Sequence, residues 1–112
     1  MRIAVAPDGS AGALTTIVAD CKYVGLDGLV QDADGSFIVA QNGSPGRVLR
    51  ITEAGAVTVL HDGTPLDGPG SVTIASAWNG ARAARVTSTA FFSVGVDGGA
   101  PKPGLVELAP LP

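Results

Sequence analysis

The chain reverses direction at short, regular intervals, and that leaves little room for a long helix. Gly supplies 16 and Pro 8 of the 112 residues. Many of them stand in Asp-Gly, Asn-Gly and Pro-Gly steps between runs rich in Val, Ile, Leu and Thr. Gly, Asn and Asp supply the positive φ that tight reversals need, and Pro presets the φ of a turn's first corner. The runs are Ile3–Ala6, Leu14–Ala19, Gly28–Gln31, Phe37–Gln41, Arg47–Ile51, Val57–Leu60, Val72–Ala75, Arg85–Ser88 and Leu105–Leu108. None carries the apolar spacing of an amphipathic helix, so each predicts a short strand. The whole predicts an all-β array built from hairpins.

The array repeats. "LTTIVAD" at 14–20 aligns with "AVTVLHD" at 56–62, and "GRVLRI" at 46–51 aligns with "PGLVEL" at 103–108. "DGLVQDADGSFIVAQN" at 27–42 aligns with "GSVTIASAWNGARAARVTS" at 70–88, with a longer hairpin in the second copy. A period of roughly 40–45 residues, carrying four strands, is that of a β-propeller blade. Residues 27–62 then form one complete four-stranded antiparallel blade. Residues 1–20 hold the last two strands of the preceding blade, and residues 70–109 the first three of the last. The expectation is a single incomplete propeller domain over 1–112, about two blades in content.

The two Asp-Gly pairs of this unit have different tasks. Asp34-Gly35 lies between the first two strands of the blade and makes the hairpin, as Asn79-Gly80 does in the next unit and Gly55 in the following turn. Asp27 precedes the innermost strand, so it would face the mouth of the central channel. It is the candidate catalytic and metal-binding residue; its plain alternative is a carboxylate that caps backbone N–H groups at the strand's start. Lys22 and Tyr23 lie in the loop before Asp27, and Gln41 and Asn42 end the second strand, all on the mouth side. They are candidate substrate contacts, or simply loop packing. The loop from Thr89 to Pro103 shares that face, with Phe91 and Phe92 as a lid or an interblade wedge.

Other residues carry plainer readings. His61 is expected as a solvated loop histidine, Trp78 as a packing residue on the far face, and Arg47 and Arg50 as surface or interblade ion-pair partners. Cys21, the one cysteine, permits no internal disulfide and is expected as a small buried residue. Net charge is −3 and no basic cluster occurs, which argues against nucleic acid. No apolar run approaches the ~18 residues of a membrane span, and no leader precedes the first turn, so the default expectation is cytoplasmic. No nucleophile stands with the single histidine, no companions join Cys21 and His61 for zinc, and no phosphate loop occurs.

The stretch "LDGLVQDADGSFIVAQNGSPGRVLRITEAGAVTVL" resembles the senescence-marker protein/gluconolactonase family, also called the regucalcin family. Its blades carry Asp-Gly-hydrophobic, then Asp-x-x-Gly-x-hydrophobic-x-Val-Ala, then Gly-Arg-Val-hydrophobic-Arg-hydrophobic. "RIAVAPDGSAGA" is similar to the strand and turn before that unit, and "GPGSVTIASAWNG…RVTSTAFF…KPGLVEL" to the last blade. The chain departs from the family pattern at Arg85, where an aromatic residue is usual. The resemblance implies a six-bladed propeller with one divalent cation (Ca, Mn, Mg or Zn) in its channel, hydrolysing a sugar lactone. The cation polarises the carbonyl and activates water, while a carboxylate holds it. Of the family's ligands, a Glu, two Asn and this Asp, only the last maps here, as Asp27.

Calcium takes about 6–8 oxygens and one carboxylate supplies one or two, so weak metal binding and no lactonase activity are expected of this chain alone. With strands grouped two, four and three, it is expected to be the C-terminal portion of a longer propeller rather than a module of a threefold ring. Open blade edges would invite self-association. Three functions follow: part of a metal-dependent lactonase, a non-catalytic binding scaffold of the NHL-repeat type, or an inactive structural fragment.

Overall fold

The computed structural model describes residues 1–43, 45–93 and 102–112. It is all-β: nine strands, no α-helix among the described residues, and one 3-10 turn at Cys21–Tyr23. The strands are β1 Arg2–Val5, β2 Ala11–Thr15, β3 Leu26–Gln31, β4 Phe37–Gln41, β5 Arg47–Ile51, β6 Val57–Asp62, β7 Pro69–Ser76, β8 Arg82–Ser88 and β9 Gly104–Leu108. They form three antiparallel meanders in chain order: β1-β2, β3-β4-β5-β6 and β7-β8-β9. Among the described residues no helix is long and apolar enough to cross a membrane.

One turn joins most of the hairpins. At Gly9, Gly35, Gly55 and Gly80 the chain has φ between +80° and +86°. In each, the glycine N–H donates three residues back, to Ala6, Asp32, Thr52 and Ala77 respectively. The N–H of each of those residues donates to the carbonyl four residues on. This is a type I turn closed by a left-handed residue, the three-residue hairpin that glycine favours. Asp8, Asp34 and Asn79 precede three of these glycines, and each side chain accepts the N–H two residues on at 3.0 Å. Both Asp34-Gly35 and Asn79-Gly80 therefore do the work their sequence predicts.

The second sheet is apolar on both faces. Ile38, Ala40 and Val48 point to the third sheet and bury with Val72, Ala84, Val86 and Leu111. Val39, Leu49 and Ile51 point the other way and meet Ile17, Val18 and Tyr23 from the segment before β3. At roughly 1.5–3 kcal/mol for a fully buried Ile, Val or Leu, the first cluster dominates the stability of the fold.

The first sheet differs from expectation. Leu14–Ala19 reads as a strand, but β2 runs from Ala11 to Thr15. The turn at Gly9 fixes the register, pairing Arg2 with Thr15. Beyond Thr15 little of the β1 strand remains to pair with, so Ile17 and Val18 lie on the second sheet instead. Every residue of β1 and β2 is exposed.

Candidate functional site

Asp27 lies within β3, and an irregularity there decides its orientation. Leu26 pairs with Gln41 and Leu29 with Val39, so Asp27-Gly28 stand opposite Ala40 alone. This is a β-bulge, a device that re-aims a side chain. The third sheet repeats it: Pro69 pairs with Ser88 and Val72 with Val86, leaving Gly70-Ser71 opposite Thr87. The two bulges touch. A Cβ on Gly28 would lie 2.5 Å from the Gly70 oxygen and from the Ser71 Cα. Only glycine permits this approach of two inner strands. At the position equivalent to Asp27 stands Gly70, which presents no side chain to the Asp27 carboxylate.

The carboxylate of Asp27 is exposed and accepts the Asn42 Nδ2 amide at 3.2 Å. Asn42 is fixed in turn: its backbone N–H donates to the Gly25 carbonyl at 2.7 Å. Gly25 has φ +70°, and a Cβ there would lie 2.7 Å from the Asn42 oxygen. Gly68, with φ +61°, is its counterpart, and its carbonyl accepts the Thr89 N–H.

Gln41 has a different task from its neighbour. It is buried, and its Nε2 donates to the Lys22 and Val24 carbonyls at 2.9 and 3.0 Å. It thereby ties the loop before β3 to the end of β4, while its Oε1 is buried with no hydrogen-bond partner among the described residues. Ser88 does the same in the next repeat, where its Oγ binds both the N–H and the carbonyl of Asp67. Lys22 reaches neither Asp27 nor Asn42 in any hydrogen bond or ion pair of the described residues. Its ammonium pairs with Asp20 at 3.0 Å and sits 4.9 Å from the centre of the Tyr23 ring. The Asp20 carboxylate raises the Lys22 pKa, and the hydrogen bond from the Lys22 N–H lowers that of Asp20. Tyr23 is half-buried against the second sheet. Of the five residues singled out from sequence, then, the fold brings Asp27 and Asn42 together. It makes Gln41 the support of their loop and sets Lys22 and Tyr23 on that loop.

Asp67 is an addition that sequence reasoning missed. It lies at the same end of the fold and accepts the N–H groups of Phe92 at 3.1 Å and Ser93 at 2.8 Å. These bonds, Ser93 foremost, lower its pKa. Its place directly before Gly68 in a Pro-Leu-Asp-Gly-Pro run was the available signal. Phe91 and Phe92 meet edge to face at 6.2 Å and remain substantially exposed. The rest of their loop, 94–101, falls outside the described residues.

Two residues differ from their plain readings. Cys21 is exposed on the 3-10 turn, because the apolar anchor of that loop is Tyr23. Trp78 is fully exposed at the tip of the β7–β8 turn, beyond the reach of either sheet face. Arg50 is an ion-pair partner, as its sequence reading expects. It pairs with Asp34, bonds the Pro112 carbonyl at 3.0 Å and approaches Asp32 at 4.0 Å, while Arg82 of the third sheet pairs with Asp32. Arg47 pairs with Asp62 at 2.9 Å, and His61 Nε2 contacts the Thr64 carbonyl at 2.9 Å.

A concavity lies on the face of the second sheet away from the third. It is an apolar cleft of about 300 Å³, lined chiefly by Ile17, Leu26, Leu29, Phe37, Val39 and Ile51. Arg2 and Asp27 are the charged residues at its wall.

No protein-family model, no curated protein and no solved structure matches the chain.

The donor set at Asp27 is hard oxygen, suited to Ca²⁺, Mg²⁺ or Mn²⁺ more than to a thiolate-preferring ion. It is also small. Among the described residues no three His, Cys, Asp or Glu side chains gather as a metal-holding group. One exposed carboxylate and one amide do not fit a resident cation by themselves, and no catalytic step through a metal is derived from them.

Proposed function

We propose that this chain forms neighbouring blades of a six-bladed β-propeller resembling the gluconolactonases, with Asp27 at the mouth of the channel. In that reading Asp27 contributes one carboxylate to the binding of a divalent cation and, through it, a sugar lactone or similar oxygen-rich molecule. Asn42 orients the carboxylate. The chain alone does not hydrolyse lactones. The observation that carries the reading is the meeting of the two bulges, Asp27-Gly28 on Gly70-Ser71, at equivalent positions of two repeated meanders. Repeated sheets that approach each other through their first strands, as β3 and β7 do, support a reading as blades about an axis. The Asp27 carboxylate then stands beside that axis.

A non-catalytic scaffold of the NHL-repeat type is the second reading, favoured by the substitution of Gly70 at the position that repeats Asp27.

Titration with Mn²⁺, followed by paramagnetic broadening of amide resonances, tests the first. Broadening is expected first around Asp27, Asn42 and Gly70, at millimolar metal, and is lost in Asp27→Asn. Broadening centred on Asp8 or Asp62, or unchanged by Asp27→Asn, would contradict a cation role for this residue.

A further inference from the structure

We infer that the apolar cleft and the free edge of β1 together form a docking surface for a β-hairpin of a partner polypeptide, patterned like β3–β4. The inference rests on the blade reading above and deepens it, naming what the open face of the second sheet receives.

The repeat identifies the occupant. The two bulges align Leu26 with Pro69, Asp27-Gly28 with Gly70-Ser71 and Leu29 with Val72. Across the hairpins, Val39 then corresponds to Val86 and Phe37 to Ala84. Val72, Ala84 and Val86 share one buried cluster with Val30, Ile38 and Ala40, which belong to the β3–β4 hairpin. Their counterparts Leu29, Phe37 and Val39 line the cleft. The matched positions differ in cover: Val72 is 9% exposed and Leu29 61%, while Pro69 is fully buried and Leu26 41% exposed. The surface that β3–β4 meets on the third sheet thus recurs on the second, with Leu26 and Leu29 left open.

The backbone makes the same demand. In the second sheet β4 pairs with β5 over five consecutive residues, from Phe37 with Ile51 to Gln41 with Arg47. β1 is the counterpart of β5: the turns at Gly9 and Gly55 match, and Arg2 pairs with Thr15 as Val48 does with His61. Among the described residues β1 is bonded only to β2, so the edge that β5 gives to β4 is open on β1. The strand has neither Pro nor Lys to discourage pairing. Met1 and Arg2 bring this edge to the wall of the cleft. A partner that adds a strand here, with alternate side chains entering the cleft, satisfies the backbone edge and the apolar surface together. A small apolar molecule would leave the edge unpaired. The Arg2 guanidinium lies 4.0 Å from Glu53, so the partner need not supply its counter-charge.

Two features of the partner follow. Its strands carry aliphatic side chains at the positions that Val30, Ile38 and Ala40 hold in β3–β4, on one face only. Its inner strand carries glycine where it meets Asp27-Gly28. In the closed seam Gly28 has that place, and a Cβ there would lie 2.5 Å from the Gly70 oxygen and the Ser71 Cα. A larger residue would hold the two inner strands apart.

The probe is a synthetic peptide of residues 26–42, the chain's own β3–β4 hairpin, titrated into the isotopically labelled chain. Saturable equimolar binding is expected, with shifts in the Arg2–Val5 amides and the Leu29 methyls and slower hydrogen exchange at Arg2–Val5. Leu29→Asp in the chain, or Ile38→Asp or Gly28→Val in the peptide, should each weaken binding by about tenfold or more. Trp78→Ser, which removes a fully exposed apolar side chain away from the cleft, should leave binding unchanged. Circular dichroism verifies that each chain variant is folded. A second form removes the cost of folding a free peptide: the whole chain with residues 25–46 repeated ahead of Met1, which leads the added hairpin into β1 as β4 leads into β5. The same protection of Arg2–Val5 is expected. No protection in either form would overturn the inference. So would shifts confined to Arg47–Ile51, where the peptide would displace the chain's own β4, or a cleft closed by dimerisation in sedimentation velocity. If Gly28 and Ser71 still show a nuclear Overhauser contact in that event, the blade reading stands and the partner alone is wrong; loss of that contact removes the blade reading itself.

Discussion

The two faces of the second sheet are built from neighbouring residues of the same strands, yet they meet different fates. On one, Ile38, Ala40 and Val48 lie against the third sheet with no exposure at all. On the other, Val39 and Leu49 are covered by Ile17, Val18 and Tyr23, but Leu26 and Leu29 stand open. Alternation along a strand assigns side chains to a face; it does not supply the layer that covers the face. The third sheet brings three strands of a repeat, with its own bulge and its own pinned loop. The first sheet brings a hairpin that projects beyond the second sheet and a connecting segment that crosses part of it.

The contrast is broken or sharpened most by changes at the closed face. Ile38→Ala should cost about 3–4 kcal/mol in chemical denaturation, the transfer loss plus a cavity between two sheets. Leu29→Ala should cost under about 0.5 kcal/mol in the same assay at low protein concentration, since its side chain is largely in water already. Equal losses at the two positions would refute the difference between the faces.

Gly28→Ala comes next. Its methyl would meet backbone on the third sheet, where no flexible side chain can yield, and about 1–3 kcal/mol of destabilisation is expected. The matched control is Gly63→Ala, which meets nothing but has φ +91° and so carries backbone strain alone.

Arg82→Ala should follow, at about 2 kcal/mol. It leaves the buried Asp32 without its cross-sheet partner, though Arg82 itself is half exposed and water moderates the loss. The same network sets an acid limit. Bonds from Ser36 hold Asp34 down to about 2, and the Arg82 hydrogen bond lowers Asp32. Groups whose folded pKa is depressed contribute stability above their ordinary value, and that contribution is lost as pH falls through the folded value. The melting temperature should thus hold to about pH 4 and fall between there and pH 2. In Arg82→Ala the fall should be shallower, because part of the linkage is gone.

Much of this architecture could be read from the chain. The strands β3 to β9 begin or end within a few residues of the runs that predict them, because Asp-Gly and Asn-Gly mark turns with a local mechanism. The misread strand at Leu14–Ala19 shows where that fails: its composition suits a strand, but a strand needs a partner of matching length. Asp27 was legible as different from Asp34. The bulge that aims it was not, since one extra residue is visible only in the register with β4. Gln41 and Ser88 share a task that no motif connects, because an amide and a hydroxyl solve the same backbone problem. Trp78 and Cys21 look buried by residue type and are exposed by position.

Whether the two repeats meet through their inner strands can be measured most directly by NMR. Nuclear Overhauser effects should connect the Gly28 Hα protons with the Hα of Ser71, and Ile38 methyls with those of Val72 and Val86, while Leu29 methyls show none to the third sheet. Contacts of Leu29 with Val72 or Val86, or an empty region between Gly28 and Ser71, would contradict the arrangement on which the position of Asp27 depends.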